Sequence, residues 1–321
     1  MLQPATTAAG RLSRRPLHGV LLLDKPLGLS SNDALQRVKR LLRAQKAGHT
    51  GTLDPLATGV LPICLGAATK FSALHLHGTK RYVARLQLGV TTTTGDAEGE
   101  VLQTRPVDVP TEARWQAVLP LFLGQIMQRP PMYAALKHQG KPLYAYARAG
   151  QTVPREPRPV RIDTLHITAT DDPHEWDMHV QCGAGTYVRV LAEDIGEALG
   201  CGAHLRALRR TATGGFGIEQ TVSQEQLEQL VQQQAALPLL PVPSLLGNAP
   251  TVQLEPEQAG RFLTGARLRC PGPAAEPLAV WGRAPNAFLG MAKRVADELI
   301  ALRLLSPLEI EQTLSQQETT P

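Results

Sequence analysis

The stretch AGHTGTLDPLATGV, residues 47–60, places one acidic side chain, Asp54, among threonines and glycines. Pro55 follows it directly. An Asp-Pro pair is typical of turns, because aspartate bonds to nearby backbone and proline presets φ at the next position. The residues alone leave two interpretations open, a turn or a chemical role for Asp54. The stretch has no hydrophobic period, so it predicts a loop.

The segments before this loop predict a buried strand and then a basic helix. Residues 19–23, GVLLL, favour a strand that stops at a turn over 24–28. In SSNDALQRVKRLLRA, residues 30–44, the first three side chains are typical helix caps, and the apolar positions follow helical spacing. The opposite face of this helix carries four basic side chains, Arg37, Lys39, Arg40 and Arg43.

The remaining elements follow from periodicity and from glycine and proline positions. Strict alternation over residues 80–90 puts Tyr82 on the apolar face of a half-buried strand. Further strands are predicted at 61–66, 100–107, 160–170 and 175–183, and helices at 68–77, 111–124, 141–150, 186–200 and 203–210. The proline-rich residues 236–250 predict a linker or seam, and 251–310 a compact α+β module that includes a helix over 254–265. The last ten residues are polar and are predicted to fray.

Length and charge point to two domains and a polyanionic partner. The 321 residues suit one large domain and a smaller one. Residues 1–160 hold 21 of the 33 Lys and Arg and 9 of the 28 Asp and Glu. The first half therefore has a net charge of +12 and the rest of the chain −7, which together give +5. Residues 11–46 alone hold 9 basic and 2 acidic residues. This asymmetry is typical of a protein with a polyanionic partner, and a solvated helix face plus a flexible arm explains it equally well.

Several classes of protein are excluded or disfavoured by the composition. No apolar run reaches the 18 residues of a membrane helix, and the first residues lack the pattern of a secretory signal. The four cysteines are far apart, so we expect reduced thiols, no metal site and a cytoplasmic location. No phosphate-cradling glycine loop, dinucleotide-binding motif or serine-nucleophile motif is present.

Three runs of sequence carry a resemblance to a known family. They are GVLLLDKPLGLSSNDALQRVKRLLRAQKAGHTGTLDPLATGVLPICLGAATKF at 19–71, KRYVARLQLG at 80–89 and CGAGTYVRVLAEDIGEALGCGAHLRALRR at 182–210. These runs are very similar to the bacterial tRNA pseudouridine synthases of the TruB family. The resemblance implies isomerisation of uridine 55 in the TΨC arm of tRNA to pseudouridine, without a cofactor.

The resemblance also implies roles for individual residues. Asp54 matches the family's catalytic aspartate, and a carboxylate there fits either nucleophilic or proton-transfer catalysis. Arg189 matches the arginine that pairs with this acid. Tyr82 matches the tyrosine that stacks on the target base and assists removal of its C5 proton. Alternation alone favours an ordinary core tyrosine at that position.

Other matched residues are expected to bind the substrate. Tyr187 and Leu208 match the active-site tyrosine and the apolar lining of the uracil pocket. His49 matches a histidine that stacks near the flipped-out nucleotide, and Lys25 a structural or phosphate-facing lysine. Five further basic residues are candidates for contacts to the RNA backbone: Lys46, Lys80, Arg81, Lys141 and Arg148.

Two positions depart from the family pattern. Thr93 stands where an aspartate is often found, although Asp96 follows it, and Ala184 stands where a lysine is frequent before GTY. Both lie outside the predicted catalytic group, so we expect effects on RNA affinity or local structure.

The expected fold is the α/β (α+β) pseudouridine-synthase fold, with a mixed, mostly antiparallel central sheet flanked by helices. The predicted organisation is a flexible basic arm over 1–16, a catalytic domain over 17–247 and a small PUA-like RNA-binding domain over 248–321. The protein is expected to act on the T-arm as a monomer, without metal or membrane. An RNA-binding module without catalysis and a hydrolase that uses Asp54 are the alternatives, but the paired carboxylates of glycosidases are not visible.

Overall fold

The computed structural model describes residues 13–318. Twelve of the sixteen residues of the predicted N-terminal arm, and the last three residues of the chain, lie outside this range. No helix in the described range is both long and apolar enough to cross a membrane.

The strands of the described range form two large sheets and two small hairpins. In chain order they are β1 (Gly19–Lys25), β2 (Ala47–His49), β3 (Ala57–Leu65), β4 (Lys80–Leu88), β5 (Val90–Thr92), β6 (Val101–Thr104), β7 (Gly124–Gln128), β8 (Lys137–His138), β9 (Lys141–Pro142), β10 (Arg158–Ala169), β11 (Glu175–Cys182), β12 (Ala203–Thr213), β13 (Phe216–Gly217), β14 (Leu239–Leu240), β15 (Thr251–Leu254), β16 (Leu268–Arg269), β17 (Ala275–Arg283), β18 (Asn286–Val295) and β19 (Glu298–Leu304).

The α-helices of this range are short and lie between the strands. They are α1 (Ser31–Leu41), α2 (Ser72–His75), α3 (Glu112–Val118), α4 (Leu143–Ala147), α5 (Val188–Leu199), α6 (Gln224–Gln232), α7 (Pro256–Leu263) and α8 (Pro307–Glu318). Short 3-10 turns extend several of them, for example Gly66–Lys70 before α2 and Leu119–Phe122 after α3.

The central sheet has the order β14-β1-β3-β12-β4-β11-β10-β7. Its neighbours pair antiparallel except β12 and β3, which run parallel. The expected mixed, mostly antiparallel sheet is therefore confirmed. Strands β3 and β12 thus lie side by side at the middle of the sheet, although almost 140 residues separate their ends in the sequence.

Helices α1, α3, α5 and α6 cover one face of the central sheet. Their buried apolar side chains pack on alternate residues of the strands, such as Leu61 and Ile63 of β3 and Leu86 of β4. The other face, which includes Val20 and Val60, packs against the C-terminal sheet through Phe288 and its neighbours. The C-terminal sheet, in the order β15-β17-β18-β19-β16, has its own apolar core around Phe262.

The structure corrects one predicted element outright. Residues 203–210, predicted as a helix, form the first part of β12. The segment AHLRALRR consists of good helix formers, but β4 and β3 on either side offer a complete set of backbone partners. Two bulges in the pairing with β4 break the alternation of buried residues that would have indicated a strand.

Other predictions differ in extent. Residues 47–60, predicted as loop throughout, contain β2 and the start of β3, which leaves 50–56 as the loop. Residues 312–318, predicted to fray, belong to α8. Residues 236–250, predicted as a linker or seam, pack against the rest of the protein: β14 pairs with β1, and the side chains of Val242 and Leu245 are buried. The predicted division at 16 and 247 remains a prediction.

Candidate active site

The first residue of helix α1 and a residue before the helix hold the loop on both sides of Asp54. The Ser31 hydroxyl, at the first turn of α1, donates to the Leu53 carbonyl at 3.0 Å and accepts from the Leu53 amide at 2.7 Å. The Asp54 carbonyl accepts from the Ala57 amide at 3.0 Å, and the Pro55 carbonyl from the Gly28 amide at 2.9 Å. Backbone groups therefore make the turn, and the Asp54 carboxylate remains available for another partner.

That partner is Arg189, in the first turn of α5. The Nη2 atom of Arg189 lies 2.9 Å from Oδ2 of Asp54. The guanidinium also donates to the Thr94 carbonyl at 2.8 Å and to the Tyr133 carbonyl at 2.7 Å, and its side chain is only 6% exposed. Contacts on several sides hold this buried cation in one orientation, so the position of the carboxylate is fixed as well.

A second acid, Asp96, lies behind Arg189. Its Oδ2 is 3.6 Å from Nε of Arg189, and its Oδ1 accepts from the Thr94 hydroxyl at 2.5 Å and from the Glu98 amide at 3.1 Å. Asp96 is almost fully buried, whereas the Asp54 side chain is 39% exposed. The guanidinium thus lies between two carboxylates, of which only Asp54 reaches open space.

The pKa of Asp54 reflects two opposing effects. Burial raises it above its ordinary value, because the charged form loses water. The positive charge of Arg189 lowers it, and the negative charge of Asp96 raises it again. The net direction is upward, so Arg189 opposes the effect of burial without fully cancelling it.

Asp54 lies on the wall of a cavity of about 320 Å³, a size typical of small-ligand pockets. The predicted residues Tyr82, Tyr187, Arg189 and Leu208 line the same cavity, as does Lys80. They come from β4, α5 and β12 and from the loop before β3, so the order of the strands brings them together. Burial raises the pKa of both tyrosines above its ordinary value.

Two buried side chains that the sequence interpretation missed also support the cavity. The amide of Gln128, at the end of edge strand β7, accepts from the Tyr187 amide at 3.0 Å and donates to the Tyr187 carbonyl at 3.3 Å. Arg210, on β12, lines the cavity with a fully buried guanidinium. The sequence did not indicate that Arg210 is buried, because the segment 203–210 was predicted as a helix that carries three arginines.

Three predicted residues do not line the cavity. Lys25 is buried beneath the loop, where its Nζ donates to the carbonyls of Pro26 and Leu29; burial lowers its pKa to about 8, although the charge of Asp54 opposes this. His49 lies on β2, its pKa lowered by burial, and its Nδ1 has no hydrogen-bond partner among residues 13–318. Arg81 is exposed, since it precedes Tyr82 on β4 and points to the opposite face.

The remaining basic candidates fall into two groups. Lys80 is buried, and its Nζ donates to the Leu76 carbonyl at 2.5 Å. Lys46, Lys141 and Arg148 are exposed. Lys141 and Arg148 lie over the rings of Tyr146 and Tyr144, at 4.8 Å and 5.4 Å from the ring centroids. These exposed cations have room for a polyanion, whereas Lys80 faces the cavity.

The two departures from the family pattern are accommodated locally. The Thr93 hydroxyl accepts from the Glu100 amide at 3.1 Å within the turn that leads to Asp96. Ala184 is exposed at the end of β11. All four cysteines are free, and no group of three His, Cys, Asp or Glu within 13–318 is arranged to hold a metal ion.

Comparisons with known proteins identify the family of the chain and agree with its fold. The family model described as "TruB family pseudouridylate synthase (N terminal domain)" matches residues 39–188, and "tRNA pseudouridylate synthase B C-terminal domain" matches 189–246. A solved structure described as "Crystal Structure of a Cbf5-Nop10-Gar1 Complex" has a TM-score of 0.69 and 25% identity, and covers 90% of this chain and 84% of that chain.

Three relatives described as "tRNA pseudouridine synthase B" are similar over most of the chain. The relative from Burkholderia mallei (strain ATCC 23344) is 53% identical over 92% of this chain and 96% of its own. Those from Verminephrobacter eiseniae (strain EF01-2) and Cupriavidus metallidurans are 53% and 55% identical, over 96% and 84% of this chain and 94% and 85% of their own. The fold and the matching family models therefore identify the chain as a pseudouridylate synthase. Within that class, the chain belongs to the TruB family.

Proposed function

We propose that the protein converts uridine 55 in the TΨC loop of tRNA to pseudouridine, with Asp54 as the catalytic nucleophile or base. The observation on which this rests is the Asp54 carboxylate, paired with Arg189 at 2.9 Å on the wall of a cavity that Tyr82, Tyr187 and Leu208 also line. Relatives described as tRNA pseudouridine synthase B support tRNA as the substrate.

The reaction moves a bond without net addition of atoms. The bond from C1′ of the ribose to N1 of uracil breaks, a bond from C1′ to C5 forms, the C5 proton leaves and N1 gains a proton. An ionised carboxylate next to the ribose and the base can act on C1′ or on C6 of the base, or accept a proton. Because base and sugar stay in one enclosed site, orientation contributes up to about 7–11 kcal/mol.

The cavity suits a nucleotide rotated out of the RNA stack. In this proposal Leu208 offers an apolar surface to the uracil, and Tyr82, on the same cavity wall, stacks on the base and assists removal of the C5 proton. Tyr187 closes another side, held by Gln128. Rotating a base out costs a few kcal/mol, which contacts with these rings partly offset. His49, on β2 outside the cavity, is proposed to stack near the flipped-out nucleotide.

The RNA is held largely by its phosphates. The exposed Lys46, Arg81, Lys141 and Arg148 contact the backbone of the T-arm, and Lys80 lies on the cavity wall. Lys25 acts structurally, through its bonds to the Pro26 and Leu29 carbonyls. Each phosphate contact contributes about one unit to the slope of log K against log salt. The protein is proposed to act as a monomer.

A hydrolase would need a second acid that reaches the cavity. Asp96 is buried behind Arg189 and does not line it. The geometry therefore favours the isomerase over the hydrolase, and an assay separates both from a binding module.

The test uses an unmodified tRNA transcript tritiated at C5 of uracil. We expect tritium release and one pseudouridine at position 55, and no release from a transcript with cytidine at 55 that contains no other target. Free uracil would indicate hydrolysis, and tight binding without release would indicate a binding module. Either result, or pseudouridine at another position only, would contradict the proposal.

A further inference from the structure

Arg210 is the largest fully buried side chain of residues 13–318, at 1% exposure. In this range no carboxylate lies within ion-pair distance of it, whereas the neighbouring Arg209 pairs with Asp24 at 2.7 Å. Burying a guanidinium without a counter-ion is costly unless fixed hydrogen bonds compensate. The contacts of Arg210 therefore indicate what this side chain is for.

The guanidinium lies beside both halves of the site. Its Nε donates to the Val60 carbonyl at 2.8 Å and its Nη2 to the Gly51 carbonyl at 3.0 Å, in the loop that leads to Asp54. Tyr82 is its cross-strand neighbour on β4, and the side chains of both residues line the cavity. Arg210 thus lies between the Asp54 loop and Tyr82.

The strand register explains how one residue lies beside both. On β12, Arg210 lies opposite Tyr82 of β4 on one side and Gly59 of β3 on the other. A Cβ on Gly59 would lie 2.1 Å from the Arg210 carbonyl oxygen, and one on Gly51 would lie 3.2 Å from its Nη1. Gly59 is thus required for the close approach of the Arg210 backbone, whereas a Cβ at position 51 would require a small shift of the guanidinium.

We propose that Arg210 is a positioning residue for the isomerisation, because its guanidinium holds the Gly51 carbonyl of the Asp54 loop beside its cross-strand neighbour Tyr82 and so sets the distance between Tyr82 and Asp54. This inference rests on the proposed function. Lysine at this position keeps the charge but cannot donate to the Val60 and Gly51 carbonyls in the same planar arrangement.

The test compares Arg210→Lys with the wild type in single-turnover tritium release from C5-labelled tRNA. We expect the rate to fall about 10- to 100-fold, because small displacements of catalytic groups have large effects on rate. The Kd for tRNA should stay within about twofold, since Arg210 is buried away from the exposed cations. Arg209→Lys, the adjacent change on an exposed and separately paired arginine, should keep the wild-type rate and Kd.

A double-mutant cycle with Tyr82→Phe separates positioning from general structural damage. If Arg210 acts through Tyr82, the double variant should lose less than the product of the two single losses. A full product of losses, an unchanged rate in Arg210→Lys, or a loss of tRNA affinity that matches the loss of rate would each overturn the inference. Thermal unfolding checks the fold, and Arg210→Gln replaces Arg210→Lys in the cycle if the lysine variant does not fold.

The outcomes also separate this inference from the proposed function. If the wild type forms no pseudouridine, the proposed function fails. If the wild type is active and Arg210→Lys matches it, only the role of Arg210 fails.

Discussion

Asp54 is both a turn residue and, within residues 13–318, the one carboxylate that lines the cavity. Its carbonyl closes the turn with Ala57, while its side chain pairs with Arg189. The two interpretations that the sequence left open are therefore compatible, because different atoms of the same residue are involved. Its functional role is tested by changing the carboxylate alone.

Asp54→Asn keeps the shape of the side chain but removes the nucleophile and base. We expect single-turnover conversion to fall by at least about 10³-fold, since the proposed chemistry needs the charged carboxylate, with the Kd for tRNA within about threefold of the wild type. Asp108→Asn, the same change at an exposed position, is the control and should be fully active. A parallel loss of binding in Asp54→Asn would argue against a purely chemical role.

The raised pKa of Asp54 predicts the pH dependence of the rate. The carboxylate is active when ionised, so the rate should fall as the pH drops through a pKa above the ordinary aspartate range. Arg189→Gln removes the charge that lowers this pKa, and the acid limb should move to higher pH. Single-turnover rates across the pH range measure the limb.

The matched control for this shift is Arg161→Gln, which changes an exposed arginine paired with Asp163. Its acid limb should coincide with that of the wild type. An unshifted limb in Arg189→Gln would mean that another group sets the pH dependence.

At the scale of elements, the close packing of α5 on β12 places Arg189 in the site. Gly196 lies on the buried face of α5, and a Cβ there would lie 2.2 Å from the Ala203 amide nitrogen and 2.4 Å from the Gly202 carbonyl carbon. Backbone atoms cannot move aside as side chains do. The glycine therefore permits the approach of the helix to the sheet.

Gly196→Ala should lower the free energy of unfolding by about 1–3 kcal/mol, as overpacking does in other cores. Urea unfolding measures the change. Gly260→Ala is the control, because Gly260 lies inside α7 with nothing within 4 Å of the added Cβ, and alanine should stabilise that helix by up to about 1 kcal/mol. Equal effects of both changes would show that α5 does not depend on this contact.

At the scale of the whole molecule, helix α8 ties the C-terminal module to the central domain. Glu309 of α8 pairs with Lys70 at 2.5 Å and accepts from the Ser306 amide, and the side chain of Gln312 contacts His18 before β1. Burial raises the pKa of Glu309, but the bonds to Lys70 and Ser306 outweigh this and hold it below its ordinary value.

Glu309→Gln should therefore cost stability at neutral pH, by about 1 kcal/mol for a partly exposed pair. A lowered carboxyl pKa stabilises the fold above the unfolded pKa, and this contribution is lost as the pH falls through the folded pKa. The difference between wild type and variant should accordingly shrink in acid. Glu298→Gln, at an exposed pair with Arg267, should show little change, and equal losses would contradict the role of α8.

How much the sequence predicted depends on how local each feature is. The cap of α1, the alternation of β4 and the Asp54 loop were predicted correctly, since neighbouring residues determine them. The helix predicted for residues 203–210 was wrong, because the strands that pair with this segment, β3 and β4, are distant in the sequence. The role of Gln128 in holding Tyr187 gave no local signal for the same reason.

The sequence by itself determined the family resemblance, the basic first half and the acid at the centre of a glycine-rich loop. Only the tertiary structure decided that Arg189 lies between Asp54 and Asp96 and that Arg210 bonds to Gly51 beside its cross-strand neighbour Tyr82. The physical reason is that periodicity and turn chemistry act over a few residues. A buried charge finds its partners through strand order and register, which depend on the whole chain.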